Sequence, residues 1–178
     1  MADQPSDVVQ FWREAEPHWF SHDADFDRQF RDRFMALHQR ATAGELADWA
    51  RTPEGALALL ILLDQFPRNA FRGSARMYAT DPQARDVARA ALEAGHSTHI
   101  EAGLRPFFHL PFSHSEELAD QDLAVSLQTP LGGDSAKFAR GHRDIIQRFG
   151  RFPHRNALLG RSTTPQEQAF LDAGGFSG

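Results

Sequence analysis

Thr52-Pro53-Glu54-Gly55-Ala56-Leu57-Ala58-Leu59-Leu60-Ile61-Leu62-Leu63-Asp64-Gln65 is the stretch on which the fold turns. Thr52 ahead of Pro53 is a helix start: a capping hydroxyl, then a residue whose fixed φ suits the first turn. Every position from 56 to 63 is apolar, so a helix here has no face to give to water. It must be surrounded by other helices. The expected architecture is therefore all-α: an irregular bundle or superhelix of antiparallel helical hairpins around a central apolar helix near 53–65. Asp64 and Gln65 close the run against local physics, because a carboxylate in a last turn meets the negative end of the helix dipole. Arg68 and Arg72 are the nearest cations in sequence that can compensate.

Working outward, each flank supplies helices to cover that run. Ser6 or Asp7 caps a short helix carrying Val8, Val9, Phe11 and Trp12, which Pro17 ends. From Asp23, residues Phe26, Phe30, Phe34, Leu37 and Ala41 recur at helical steps and form one stripe. Asp27 with Arg31, and Arg28 with Asp32, read as a solvated face on the other side. Asp81-Pro82 starts a further helix with Val87, Ala88, Ala91 and Leu92 inward, and Gly95 ends it. A helix over about 104–128, bent or interrupted at Pro111, is expected to draw His109, His114 and Glu117 into the apolar surroundings of Phe107, Phe108 and Phe112. Asp134 or Ser135 caps the next helix, whose inward face is predicted to be Phe138, His142, Ile145 and Phe149, with Gly150 as its stop. Thr164-Pro165-Gln166-Glu167 is a capping box opening a last helix with Phe170 and Leu171 inward.

The composition narrows the class. A chain of 178 residues suits a single helical domain over 1–178. Its net charge of −5 argues against a general nucleic-acid binder, which needs a surplus of Lys and Arg on one face. Without cysteine there is no thiolate nucleophile or Cys-based zinc site. The N-terminus lacks the basic start and apolar run of a signal peptide, and the longest apolar run falls far short of the ~20 residues that cross a bilayer. A soluble, cytoplasmic protein with no membrane partner is expected.

Chemistry concentrates in three segments. Residues 66–73 and 152–160 resemble each other: each is a Phe-Pro turn followed by an Arg-Asn pair (Arg68-Asn69 and Arg155-Asn156), and each leads to a proline-started helix. They read either as two independent helix stops or as two hairpin units that bring their Arg-Asn pairs to one cleft. Between positions 140 and 161 six arginines stand against the single acid Asp144, a local charge of +5. Guanidinium forks in such a patch suit a carboxylate or phosphate, unless they neutralise Asp64, Glu116 or Glu117 within the fold. The ligand-binding candidates are Asp64, Arg68, Asn69, Arg72, His114, Glu117, His142, Arg151, His154, Arg155 and Asn156. They are expected to converge on the end of the apolar helix.

No reaction is legible in this set. His114-x-x-Glu117 reverses the Glu-x-x-His order of helical metal sites and has no second copy, and His96 with His99 sits at a helix junction, so no metal or cofactor is expected. There is no phosphate loop, nucleophile elbow or H-E-x-x-H. Whether the chain is an enzyme stays open. His142 lies in line with core residues, so a hydrogen-bonded core histidine is its simplest role. The functional expectation is a small anionic ligand in an Arg/His-lined pocket. The alternatives are a module that grips an acidic peptide and a purely structural ion-pair cluster. A closed pocket favours the first, an open groove the second, and full internal pairing of the arginines the third.

Asp64-Gln65-Phe66-Pro67-Arg68-Asn69-Ala70-Phe71-Arg72-Gly73, Pro111-Phe112-Ser113-His114-Ser115-Glu116, and residues 142–156 with Leu159-Gly160-Arg161 resemble the motifs of the domain-of-unknown-function 924 family. Phe11-Trp12 and the run from Trp19-Phe20 to Asp25-Phe26-Asp27 extend the resemblance over nearly the whole chain. It implies an all-helical, tetratricopeptide-like fold of mainly bacterial proteins, with no activity assigned.

Overall fold

The computed structural model describes residues 4–177, among which the regular elements are helical and no strand occurs. The described residues form two compact units, 4–72 with 76–111 and 73–75 with 112–177.

The first unit holds α1 (Pro5–Glu14), α2 (Ala24–Thr42), α3 (Pro53–Leu60), α4 (Phe66–Ala70) and α5 (Asp81–Glu93). The first helix starts earlier than Ser6 or Asp7 would place it, because Gln4 and Asp7 exchange a capping box. Asp23 caps α2 by accepting the Asp25 and Phe26 amides at 3.0 and 3.1 Å. The expected stripe of α2 is buried, and His38 joins it. Residues 55–63 are buried on every side, with α1 and α5 packed on α3 and α2 packed on its continuation. Thr52 caps α3 through the Gly55 amide at 3.1 Å. Gly55 is obligatory: a Cβ there would lie 2.1 Å from the Trp49 carbonyl oxygen.

The apolar helix does not stop at Asp64. It widens into a π-helical turn over Ile61–Gln65, in which the Phe66 amide reaches back to Ile61, and then continues as α4. Pro67 supplies the reason, since it has no N–H for the Leu63 carbonyl and its ring crowds that oxygen. The carbonyls loosened there find side chains instead. Leu62 accepts His38 Nδ1 at 2.9 Å, Leu63 accepts the Thr80 hydroxyl at 2.5 Å, and Asp64 accepts Arg68 at 2.8 Å. Asp64 therefore sits inside a continuous helical run, not at its negative end.

The segment expected as a helix bent or interrupted at Pro111 is interrupted, into three pieces: 3-10 turns over Ala102–Phe108, the short α6 (Leu110–Ser113), and α7 (Leu118–Gln128). Two prolines, Pro106 and Pro111, remove donors from the first part. A polar turn then holds the break at 114–117 open. Gln121 donates to the carbonyls of Ser113 and Ser115, both at 2.7 Å, and the Ser115 hydroxyl accepts the Glu117 amide at 3.1 Å.

The second unit is built on α7 packed against α8 (Gly133–Phe149), with α9 (Pro165–Asp172) beyond it. Here the expected inward faces are corrected. The buried residues of α8 are Ala136, Ala139 and Ile146, whereas Phe138 is 58% exposed and His142, Ile145 and Phe149 are half-buried. Two alanines let α7 approach closely, and close backbone approach outweighs the larger apolar area of the neighbouring aromatic stripe. On α9 the buried side chain is Glu167, while Phe170 and Leu171 are half-buried.

Candidate functional site

The candidates of the first unit are tied into two polar networks. Arg68 makes two hydrogen bonds to Asp81, at 2.8 and 3.1 Å, and lies 3.2 Å from Asp64, whose other oxygen accepts Gln65 at 2.6 Å. Burial opposes the Arg68 charge, but Asp64 and Asp81 more than reverse this and raise its pKa. Asn69 donates to Asp27 at 2.8 Å, and Arg72 grips the same carboxylate through two bonds at 2.8 and 3.1 Å. Asp27 is thus withdrawn from its expected pair with Arg31. Arg68 is the compensating cation for Asp64, and Arg72 serves elsewhere.

In the second unit residues 114–116 and 151–167 interlock. Glu116 accepts Arg161 at 2.7 and 3.0 Å and the Phe152 amide at 2.8 Å. Burial would raise the Glu116 pKa, but the Arg161 hydrogen bonds and the Phe152 amide outweigh it and lower it. Arg161 also donates to the Phe152 carbonyl and to Asn156 Oδ1, at 3.1 and 2.9 Å. Arg151 forms a fork on Glu167 at 2.6 and 2.9 Å, and Glu167 accepts the Thr164 amide at 2.8 Å as the capping box requires. Asn156 adds a bond to Glu167 at 3.2 Å. The Arg151 hydrogen bonds hold the Glu167 carboxyl down at about 2 against the opposing effect of its burial. Arg155 is buried, stacks 4.6 Å over the Phe152 ring and donates to the His114 carbonyl at 2.9 Å.

The histidines and Glu117 fall differently. Glu117 is exposed at the N-cap of α7, because the Ser115 turn sends its side chain to water while Glu116 points inward. It does not enter apolar surroundings. His142 is half-buried; its Nδ1 donates to the Phe138 carbonyl at 2.9 Å, since a carbonyl can only accept, and its ring meets Phe176 at 4.6 Å. His154 meets Phe176 at 5.0 Å and Phe152 at 5.7 Å. His109, not among the candidates, is buried with an Nδ1 that has no hydrogen-bond partner among the described residues, and burial lowers its pKa to about 4.

The two Phe-Pro turns therefore use their Arg-Asn pairs alike, each within its own unit, to bind carboxylates or carbonyls of the fold. Asp27, Asp81, Glu116, Arg161 and Glu167 complete these networks; Glu116 is among the acids expected to neutralise arginines, Asp81 and Glu167 carry helix-start signals, and no local signal directs Asp27 to Arg72. Among the described residues no three His, Asp or Glu side chains are gathered as a metal ion would require.

Open concave surface lies on the outer side of α8 and α9. One cleft of about 520 Å³ is lined by Arg148, Phe149, Arg151, Thr164, Gln166 and Glu167. A second, of about 430 Å³, runs along the aromatic stripe of α8 toward Phe170 and Phe176, with Lys137, Asp144 and Arg148 among its lining residues. Arg148 and Phe149 belong to both. The Arg148 guanidinium stacks over the rings of Phe149 and Phe170, at 4.6 and 5.8 Å, and makes no ion pair among the described residues. Sequence reasoning passed over it in favour of Arg151 and Arg155, whose charges the fold uses.

A model of bacterial proteins of unknown function, DUF924, matches residues 8–175. The solved structure of a protein of unknown function from Agrobacterium tumefaciens is similar, with 52% identity, a TM-score of 0.93, and coverage of 95% of this chain and 97% of that one. A comparison with curated proteins finds no match.

Proposed function

Starting from a chain that belongs to the DUF924 family of bacterial proteins, we propose that it is a cytoplasmic binding protein for a small anionic ligand, with Arg148 as the group that holds the anion. One observation carries this reading. Of the six arginines between 140 and 161, Arg143, Arg151 and Arg161 are committed to Asp122, Glu167 and Glu116, whereas Arg148 stands at the junction of two open clefts without an acid partner among the described residues. Contact with the rings of Phe149 and Phe170 leaves the Arg148 N–H donors able to take a carboxylate or phosphate. Of the candidates, Arg151 lines the first cleft and His142 the second, whereas Asp64, Arg68, Asn69, Arg72, Arg155 and Asn156 line neither and are held in the networks of their own units.

A thermal-shift series with phosphate, citrate, acetate and benzoate on wild type and Arg148→Ala tests the proposal. At least one anion is expected to raise the wild-type Tm and to lose that effect in the variant, which removes an exposed side chain and should fold normally. No stabilisation by any anion, or equal stabilisation of both proteins, overturns it.

A second reading, a tetratricopeptide-like module gripping an acidic peptide, is favoured by the open shape of both clefts and by Phe138, 58% exposed beside Lys137. It predicts binding that needs Phe138 and Lys137 but not Arg148.

A further inference from the structure

We infer that the ligand of this site is a single-chain amphiphile: a carboxylate whose unbranched apolar chain lies along α8 while its head meets Arg148. This rests on the anion-binding reading above and deepens it. Phe138, Ile145 and Phe149 stand along one side of α8 and line the 430 Å³ cleft together with Phe170 and Phe176. From Phe138 to Phe149 the helix rises roughly 16 Å at 1.5 Å per residue, the dimension of an extended chain and not of a compact anion. Phe149 packs on Phe170 at 5.2 Å, but Phe138 stays 58% exposed although α8 has a separate buried face, so packing within the unit covers only one end of the stripe.

Charge sets the orientation. Arg148 stands at the end nearest Phe149, Lys137 at the end nearest Phe138, and Asp144 on the rim between them. Arg148 follows Asp144 by one helical turn, a spacing that often pairs such residues, yet it stacks on aromatic rings instead. A carboxylate at Arg148 adds charge-assisted hydrogen bonds to a guanidinium already flanked by apolar surface, and the chain then continues over Ile145 toward Phe138. Asp144 opposes the head, which limits affinity and gives a variant that should improve it.

Calorimetric titration of the full chain with acetate, hexanoate, octanoate and decanoate, all below their micelle concentrations, tests the inference. Affinity is expected to rise at least about twofold for each added methylene, since burying one is worth a factor of up to about four. Arg148→Ala should weaken decanoate about tenfold, the scale of a lost hydrogen bond to a charged group, and decanol should bind wild type correspondingly weakly. Asp144→Asn should tighten decanoate. Ile145→Ser should flatten the chain-length series. If acetate and decanoate bind equally and both depend on Arg148, the amphiphile is wrong and the anion reading stands. Decanoate binding that ignores Arg148→Ala overturns both. Absence of decanoate binding, whether or not the protein co-sediments with phosphatidylglycerol vesicles, overturns the amphiphile inference, and co-sedimentation would assign the face to a membrane surface.

Discussion

The hydroxyl of Thr80 donates to the carbonyl of Leu63 at 2.5 Å, supplying the hydrogen bond that Pro67 cannot. A threonine just ahead of α5 thereby closes the π-helical turn of the central helix, and both groups are buried. Thr80→Val keeps the shape but strands the carbonyl, at an expected cost of about 2 kcal/mol in urea unfolding. Thr80→Ser should restore most of it. Pro67→Ala returns an amide donor four residues after Leu63, so Thr80→Val should cost less in that background. Equal costs in the two backgrounds would separate Pro67 from the turn.

Glu167 anchors the second unit through Arg151, Asn156 and the Thr164 amide. Glu167→Gln keeps an acceptor for the cap but removes the charge from the Arg151 fork, and about 2 kcal/mol of stability should go with it. Arg151→Ala is expected to cost less than Glu167→Ala, because the carboxylate also serves Asn156 and the cap. The reverse order in chemical denaturation would show that the guanidinium has the larger structural share.

Acid should weaken the fold in two stages. His109 has a folded pKa of about 4 against 6.5 for the free side chain, so the unfolded chain takes up its proton first as pH falls. Its contribution is complete above 6.5 and is lost between 6.5 and 4, amounting to about 3 kcal/mol. His38, lowered mainly by burial, acts in the same direction. Glu167, at about 2 against an ordinary 4.5, contributes above 4.5 and loses that contribution between 4.5 and 2. Tm measured from pH 7.5 to 3 should fall first on the histidine limb, and His109→Leu should flatten that limb alone. An unchanged limb in the variant would remove His109 as its cause.

Gly55→Ala places a methyl group against the Trp49 carbonyl, 2.1 Å away, and against the capping hydroxyl of Thr52 at 2.8 Å, and the Trp49 backbone cannot simply swing aside. A loss of at least about 2 kcal/mol is expected, from overpacking, with a lower urea midpoint as the readout. Gly141→Ala, on α8 with nothing within 4 Å of its added methyl, is the control and should be neutral or stabilising.

Local pattern determined the helical class of this chain. The all-apolar run at 56–63 had to be enclosed, the capping signals at Asp23, Thr52 and Thr164 act as their chemistry requires, and the Phe26-Phe30-Phe34 stripe is buried because nothing else on α2 competes for that face. Such signals work within one or two helical turns, where the side chain and the backbone group it serves are fixed neighbours. Tertiary structure decided the rest. Asp27 could meet Arg31 or Arg72, and Glu116 could meet Arg151 or Arg161; the choice lies with residues brought together from distant parts of the chain, which no spacing encodes. On α8 two faces competed for the core, and Ala136, Ala139 and Ile146 won over Phe138 because small side chains let α7 come close. The same choice left the aromatic stripe and Arg148 facing the clefts. Composition put six arginines in this region, but only the pairing of Arg143, Arg151 and Arg161 and the place of Arg148 in both clefts singled it out.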